Sequence, residues 1–210
     1  MGLFREDWKE LTESRNVGSL YLTHLIRGRS DEEAYNTLLK ILEKGFLRAS
    51  FSRRNNCDTV KGNQKVVCFQ DASFDAMQEI LTGERWLGYE TGYREFGIQI
   101  HKEIMFRDGA RPVIYDKANE IMGLIDESIY WRVVNLDLEN PGWMYTDWTH
   151  EHEWRITENV SLKKYPFYII VKSNVYKEIL LNEPKVQEAI KHTRGIIVFE
   201  NEVSKKIELS

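Results

Sequence analysis

The strand and capped helix predicted within residues 19–45 constrain the fold of this sequence more than any other feature. Residues 19–26 read Ser-Leu-Tyr-Leu-Thr-His-Leu-Ile and lie between two glycines. An aromatic and aliphatic run of this length, bounded by glycine, is typical of a buried strand. Ser30 and Glu33 form a capping box that begins a helix, and Gly45 is the expected end of that helix. The fold therefore begins with a strand followed by a helix.

The remaining sequence alternates between short apolar runs and segments of helical periodicity. The apolar runs predict strands near residues 65–69, 96–100, 111–115, 151–156, 165–171 and 196–199. The periodic segments predict helices near residues 73–83, 118–134 and 175–192, the last with a break at Pro184. We therefore expect an α+β fold in which one domain, residues 19–210, holds a mixed β-sheet of about six or seven strands with helices packed around it. Residues 1–18 are predicted to form an N-terminal helical arm.

Composition limits the class of protein and its compartment. The 210 residues carry a formal net charge of −4, which argues against a general nucleic-acid binder but leaves a local basic groove open. The two cysteines lack a metal-type spacing and indicate a reducing compartment without a disulfide framework. The N-terminus becomes charged at once, and no apolar run approaches the ~18 residues that span a bilayer. We therefore expect a cytoplasmic protein with no membrane partner.

A doublet of glutamates, Glu151 and Glu153, carries the sharpest chemical signal. In an extended segment both carboxylates point to the same side, and the neighbouring histidines point to the other. Two such acids repel each other unless solvent, a cation or a substrate lies between them, so the doublet indicates a site. An exposed edge strand with a solvated acidic face is the alternative interpretation. A zinc site is a further alternative, and it would need a third ligand such as His24 or His101.

A metal-dependent nuclease is another interpretation of the same segment. Its magnesium ligands would be Asp147, Glu151 and Glu153, and Arg155 or Lys163 would hold the phosphate. No acidic residue is followed at short range by a lysine on a predicted hairpin, so this hypothesis ranks below the next one. We assign no metal ligands.

Four short motifs, taken in order, resemble the ADP-ribosyltransferase fold. They are Tyr21-Leu22-Thr23-His24, the helix end Ile41-Leu42-Glu43-Lys44-Gly45-Phe46-Leu47-Arg48-Ala49, the strand Val66-Val67-Cys68-Phe69, and Glu151-His152-Glu153. More narrowly, the sequence resembles the DarT-type toxins and a poorly characterised group of bacterial abortive-infection (phage-defence) proteins, over residues 19–160. The resemblance implies an NAD-dependent ADP-ribosyltransferase, or an NAD glycohydrolase, that serves as a bacterial or phage toxin or defence factor.

The resemblance also implies roles for three catalytic residues. Glu153 would hydrogen-bond the ribose 2′-hydroxyl and stabilise the positive charge that develops as the nicotinamide–ribose bond breaks. Glu151 would orient or deprotonate the acceptor. His24 and Thr23 on the first strand would bind NAD, and His24 would hold the adenosine ribose. We expect His24 and Glu153 to face one cleft across adjacent central strands.

The remaining NAD contacts implied by the resemblance come from basic and aromatic side chains. Arg48, Arg53 or Arg54 would hold the pyrophosphate, because a guanidinium suits bidentate contact with phosphate. An aromatic ring would stack on the nicotinamide. The candidates are Phe69, Tyr89 and Tyr93. The second-strand motif departs from the usual Ser-Thr-Ser or tyrosine, because Cys68-Phe69-Gln70 stands there.

The expected partners follow from the same resemblance. NAD would be the cofactor consumed as substrate, and the acceptor would be a protein, a nucleic acid or water. An antitoxin or a defence-system partner would restrain the activity. A non-catalytic module that binds a nucleotide or a protein in a defence system is the alternative from another functional class.

Overall fold

The structure is a computed structural model that describes residues 18–51, 53–54, 57–86, 92–139 and 145–200. For residues 53–54, 57–58 and 83–86 it describes the backbone alone. The arm predicted at residues 1–18 lies outside this part of the chain except for Gly18, and Tyr89 lies outside it as well. Among the helices that the structure describes, none combines the length and apolar character that a membrane crossing requires.

Six α-helices and thirteen strands are described. The helices are α1 (Asp31–Lys44), α2 (Phe74–Trp86), α3 (Lys102–Arg107), α4 (Ala118–Ile121), α5 (Asn174–Leu181) and α6 (Gln187–His192). The strands are β1 (Tyr21–Gly28), β2 (Phe46–Leu47), β3 (Arg53–Arg54), β4 (Cys57–Asp58), β5 (Val67–Gln70), β6 (Gly92–His101), β7 (Arg111–Pro112), β8 (Ile114–Asp116), β9 (Val133–Asn135), β10 (Glu153–Ile156), β11 (Val160–Ser161), β12 (Phe167–Val171) and β13 (Gly195–Val198). Short 3₁₀ helices cover Glu127–Arg132, Thr149–Glu151 and Pro184–Val186.

A seven-stranded mixed sheet forms the centre of the molecule. Its strand order is β13-β12-β6-β1-β5-β10-β7. Neighbouring strands are antiparallel except β12 and β13, which run parallel. The predicted α+β class with a mixed sheet of this size is therefore confirmed. The central strand, β1, lies between β6 and β5, and this position places the middle of the first motif in the middle of the sheet.

The helix α1 forms where the capping signals predict it. The Ser30 hydroxyl accepts from the Glu33 backbone N–H at 3.2 Å, and the Glu33 carboxylate accepts from the Arg29 N–H at 2.8 Å. Gly45 ends the helix at φ 74°, and its N–H donates to the Ile41 carbonyl. A left-handed residue at this position favours glycine. The helix buries Ala34, Tyr35, Leu38 and Leu42 against the sheet, and this packing fixes one face of β1.

Side-chain alternation along β1 supplies two cores, one on each side of the sheet. Leu22 and Ile26 pack in the larger core, which α1 covers. Leu25 packs in the smaller core with Met77 of α2 and Phe199. The sheet is therefore covered on both faces around its centre.

The helix predicted over residues 118–134 is wrong for most of its length. Helix α4 ends at Ile121, a 3₁₀ turn follows, and Val133–Asn135 is a strand parallel to Ile114–Asp116. The Asp126 carboxylate accepts from the Ser128 N–H at 2.8 Å, and such a local bond competes with a continuous helix. The strand predicted at 111–115 is also divided, because β7 pairs with β10 at the sheet edge whereas β8 pairs with β9.

Candidate active site

The ladder between β1 and β5 opens after one aligned pair, and His24 lies in the opening. Thr23 pairs with Gln70, whereas β5 pairs with β10 along its whole length. His24 Nδ1 lies 2.8 Å from the carbonyl oxygen of Cys68. A carbonyl can only accept, so Nδ1 carries the proton and Nε2 keeps its lone pair. The imidazole therefore donates to a carbonyl that would otherwise accept from a backbone N–H of the neighbouring strand. We call this opening, between His24 of β1 and Cys68 of β5, the β1/β5 split.

The surroundings of His24 keep its ring neutral. Burial lowers the pKa of His24, although the bond to the Cys68 carbonyl opposes this shift. The ring stands edge-on to Phe69, with centroids 5.9 Å apart. Phe69 itself is only 1% exposed and belongs to the larger core. The nicotinamide stacking predicted for Phe69 is therefore corrected: this ring packs behind His24 and presents no open face.

Arg155 holds the carboxylate of Glu153. The two side chains share a face because they lie two residues apart on β10. Arg155 Nε donates to Glu153 Oε1 at 2.8 Å, and Nη2 donates to Oε2 at 3.1 Å. The other N–H groups donate to backbone carbonyls, namely those of Trp131, Val133 and Thr59. The guanidinium is 1% exposed and has five donors, all of which have acceptors in the protein. Arg155 is therefore not available as the phosphate ligand that the nuclease hypothesis requires.

Two residues of β5 lie directly opposite these charges. Cys68 pairs with Arg155, and Gln70 pairs with Glu153. Residues that face each other across an antiparallel ladder project to the same side. Burial raises the pKa of the Cys68 thiol well above its usual value, and the negative charge of Glu153 raises it further. The thiol is therefore protonated where it lies beside the carboxylate.

Glu151 lies in a buried polar cluster rather than on the strand. It ends the 3₁₀ turn Thr149–Glu151 and is 7% exposed. Its Oε1 lies 3.4 Å from Arg27 Nη2, and its Oε2 lies 3.5 Å from the Tyr93 hydroxyl. The Arg27 guanidinium stacks on the Tyr93 ring at 3.7 Å. The prediction that Glu151 and Glu153 alternate on one strand is wrong, because His152 adopts φ 44° and redirects the chain between them.

The charges of the two carboxylates nevertheless affect the same two tyrosines, Tyr93 and Tyr115. Burial raises the pKa of Tyr115, and the charges of Glu153 and Glu151 both add to this shift. The same pair of charges raises the pKa of Tyr93 beyond the effect of burial. Tyr115 also accepts the backbone N–H of Glu153 at 2.9 Å. Glu151, from a turn, and Glu153, from a strand, therefore lie near the same two tyrosines. Both tyrosine hydroxyls are protonated.

His24 and Glu153 lie on opposite faces of the sheet, and each of them contacts Cys68. The ladder places Glu153 on the face of Gln70 and Thr23. Alternation directs the next residue of β1, His24, away from that face. The prediction that His24 and Glu153 face one cleft across adjacent strands is therefore wrong. Their strands, β1 and β10, are also not adjacent, because β5 lies between them. The Cys68 carbonyl binds His24 and the Cys68 side chain lies beside Glu153, so the two groups flank the same residue at the split.

Within the ranges that it describes, the structure does not bring the other predicted NAD-binding residues next to His24 and Glu153 in one site. The Thr23 hydroxyl is fully buried and accepts from Gln99 Nε2 at 3.1 Å, so it is used within the sheet. Arg48 is exposed after β2, and no contact in the described part of the chain joins it to Glu153 or His24. Arg53 and Arg54 form β3, which pairs with β4 in a two-stranded sheet separate from the central one.

Arg27 and Arg155 are the arginines that the structure brings to the site. Sequence reasoning assigned neither of them to this role. A charged residue within a predicted buried strand is the signal that could have identified both, because such a charge needs a partner.

Metal-binding geometry is not formed by the described residues. Among the side chains that the structure describes, no group of three or more histidine, cysteine, aspartate or glutamate residues is arranged to hold an ion. Asp147, a proposed ligand in the nuclease hypothesis, instead accepts from the Thr149 N–H at 2.9 Å and from its hydroxyl at 2.7 Å.

Comparison with known proteins gives one structural similarity. No protein-family model matches this sequence, and no curated protein matches it. A solved structure of Thermus sp. 2.9 DarT in complex with NAD+ is similar over 86% of this chain and 96% of that chain, with a TM-score of 0.44 and 12% sequence identity. At a TM-score below 0.5, the likeness assigns this chain neither an activity nor a ligand.

Proposed function

We propose that this protein is an NAD-dependent ADP-ribosyltransferase, or an NAD glycohydrolase, that cleaves the nicotinamide–ribose bond. The observation that carries the proposal is the Glu153 carboxylate, which Arg155 fixes beside the β1/β5 split through hydrogen bonds of 2.8 and 3.1 Å. The sequence resemblance identifies the same glutamate as the residue that contacts the ribose.

The chemistry of the bond explains why a fixed carboxylate is needed. Cleavage of the nicotinamide–ribose bond passes through an oxocarbenium-like state in which the sugar becomes positive. A carboxylate that is already oriented stabilises this charge without reorganising, so it favours the transition state over the ground state. A carboxylate has about four lone-pair sites, and Arg155 occupies two of them. The Cys68 thiol is a further hydrogen-bond partner of this carboxylate, so about one site is left to accept a ribose hydroxyl.

The neighbouring groups take complementary roles in this proposal. His24 Nε2, left with its lone pair, accepts a hydroxyl of the adenosine ribose. Glu151, oriented by Arg27 and Tyr93, positions the acceptor. Tyr89 and Tyr93 stay the aromatic candidates for the nicotinamide, and the Arg27 guanidinium covers one face of the Tyr93 ring. Arg48, Arg53 and Arg54 stay the proposed pyrophosphate contacts.

The nature of the acceptor decides between the two reactions. Transfer to a protein or nucleic acid makes the protein a toxin or defence factor that an antitoxin or defence partner restrains. Transfer to water makes it a glycohydrolase. The support for the biological role is the sequence resemblance alone.

A non-catalytic nucleotide-binding module is the second candidate, and one observation favours it. Both oxygens of Glu153 already accept from Arg155, and the carboxylate is therefore partly neutralised. Such a module binds NAD without turnover, and NAD raises its melting temperature by mass action. The two candidates therefore differ in nicotinamide release and not in binding.

The test is nicotinamide release from NAD, measured by chromatography with and without a cell extract. We expect Glu153→Gln to slow release by at least ~100-fold, the usual cost of losing one group that stabilises transition-state charge. Glu158→Gln, an exposed glutamate beyond the same strand, is the matched control and should leave the rate unchanged. Circular dichroism confirms that each variant is folded. A wild-type protein that neither releases nicotinamide nor labels an acceptor contradicts the proposal.

A further inference from the structure

The side-chain carbonyl oxygen of Gln70 lies in the sheet without a hydrogen-bond partner among the described residues. Gln70 is 3% exposed, and its Oε1 atom is buried and unpaired. Buried polar atoms in proteins nearly always have partners, because an unpaired acceptor costs its full desolvation free energy. A purely structural role therefore explains Gln70 poorly, since an apolar side chain of the same shape would pack there at lower cost.

The position of Gln70 places this amide next to the proposed reaction centre. Gln70 stands opposite Glu153 in one ladder and opposite Thr23 in the other. All three side chains consequently project to the same face. The Thr23 hydroxyl accepts from Gln99, and the Gln70 Oε1 atom has no hydrogen-bond partner among the described residues, Thr23 included.

We propose that Gln70 determines specificity for the primary carboxamide of the nicotinamide ring, an inference that rests on the proposed function. A glutamine amide offers one acceptor and two donors, and a primary carboxamide offers the same set in return. Rotation about the last side-chain torsion exchanges the oxygen and the nitrogen, so either can meet the ligand. With Glu153 on the ribose, the residue facing it across the ladder is placed toward the base attached to that ribose.

A site that hydrogen-bonds a carboxamide should reject the corresponding carboxylate. The acid analogue cannot donate and brings a negative charge beside Glu153 and Glu151. Sites built on buried polar groups discriminate strongly against ligands that leave those groups unpaired. Gln70 would therefore separate NAD from its nicotinic-acid counterpart.

The test compares three dinucleotide probes by isothermal titration calorimetry on the full-length protein. The probes are carba-NAD, which resists cleavage, nicotinic acid adenine dinucleotide, and ADP-ribose, which lacks the ring. We expect the wild-type protein to prefer carba-NAD over the acid by at least about tenfold. Gln70→Met should weaken carba-NAD binding by about tenfold, abolish the preference and leave ADP-ribose binding unchanged. The exposed Gln64→Met is the matched control.

Each outcome has one meaning. Loss of the carboxamide preference in Gln70→Met, with intact ADP-ribose binding, supports the inference. Equal effects of Gln70→Met on carba-NAD and ADP-ribose overturn it, as does a carboxamide preference that Gln70→Met retains. A wild-type protein that binds neither probe contradicts the proposed function instead. Gln70→Leu, which also removes the amide and keeps a side chain of similar volume, serves the same comparison if Gln70→Met does not fold. Failure of the proposed function is seen separately, as a wild-type protein that binds carba-NAD but never releases nicotinamide from NAD.

Discussion

Arg155 and Glu153 form a bidentate ion pair within one strand, and the arginine is the more deeply buried of the two. The guanidinium also donates to the Trp131, Val133 and Thr59 carbonyls, which come from separate parts of the chain. The orientation of Glu153 therefore depends on a tertiary framework and not on the strand alone. Loss of this ion pair should therefore lower the free energy of unfolding and also disturb the orientation of Glu153 that the proposed reaction requires.

Replacement of Arg155 by methionine should destabilise the protein by about 3–5 kcal/mol, the usual cost of removing one partner of a buried ion pair. The reason is that Glu153 loses two donors and three backbone carbonyls lose one donor each. Urea unfolding followed by circular dichroism measures the change. The exposed Arg107→Met is the control, and it should stay within about 0.5 kcal/mol of wild type. A similar loss in both variants would contradict the structural role of the pair.

The pH dependence of stability should carry a contribution from His24. Burial lowers its pKa in the folded protein below the ordinary 6.5 of the unfolded chain. As pH falls below 6.5, the unfolded state binds the proton first, so stability is lost down to the folded pKa. Urea unfolding at about pH 7.5 and about pH 5.5 should show a smaller loss for His24→Asn than for wild type, by up to about 1.4 kcal/mol for each unit of the pKa difference.

An independent measurement distinguishes the His24 contact from other causes of acid sensitivity. Nitrogen-15 NMR of the imidazole at neutral pH should show the Nδ1-protonated neutral tautomer, because Nδ1 donates to the Cys68 carbonyl. An Nε2-protonated tautomer would contradict the contact. It would also remove the acceptor that the proposed function gives to His24.

Cys68 should react slowly with alkylating agents in the native protein. Burial and then the charge of Glu153 raise the pKa of its thiol, so little thiolate is present at about pH 8. In a Cys57→Ser background, iodoacetamide should modify native Cys68 at least ~10-fold more slowly than the urea-unfolded chain. Mass spectrometry follows the reaction.

Glu153→Gln should accelerate this alkylation severalfold. Loss of the carboxylate removes a negative charge next to the thiol and leaves Arg155 to attract the thiolate. Glu158→Gln, on the exposed turn, should not change the rate. If both variants react like wild type, Cys68 and Glu153 are not neighbours.

Local signals in the sequence predicted the elements that depend on local chemistry. The helix between Ser30 and Gly45 follows from a cap and a glycine, and both act within a few residues. The helix expected over residues 118–134 is wrong because a 3₁₀ helix covers Glu127–Arg132 and Val133–Asn135 pairs with another strand. Apolar periodicity cannot report such a pairing.

The candidate site was predictable in its acids but not in its cations. Glu151 and Glu153 stand out because the two acids are so close in sequence, although the turn at His152 that separates them gives no sequence signal. Arg27 and Arg155 are brought to these acids by β1 and by three distant carbonyls. A charge within a strand signals that each arginine needs a partner, but the fold alone decides which acid that partner is.

The close approach of β6 to His24 gives a final prediction. A Cβ added at Gly97 would lie 2.5 Å from the His24 carbonyl oxygen, a backbone atom that cannot turn away. Gly97→Ala should therefore cost about 3 kcal/mol, or displace β1 and weaken the contact between His24 and Cys68. Gly195→Ala is the matched control in the same sheet, because its Cβ would meet the Tyr168 ring at an ordinary 3.6 Å. Urea unfolding and the His24 imidazole NMR signals measure both effects, and equal behaviour of the two variants would contradict the register of β1 and β6.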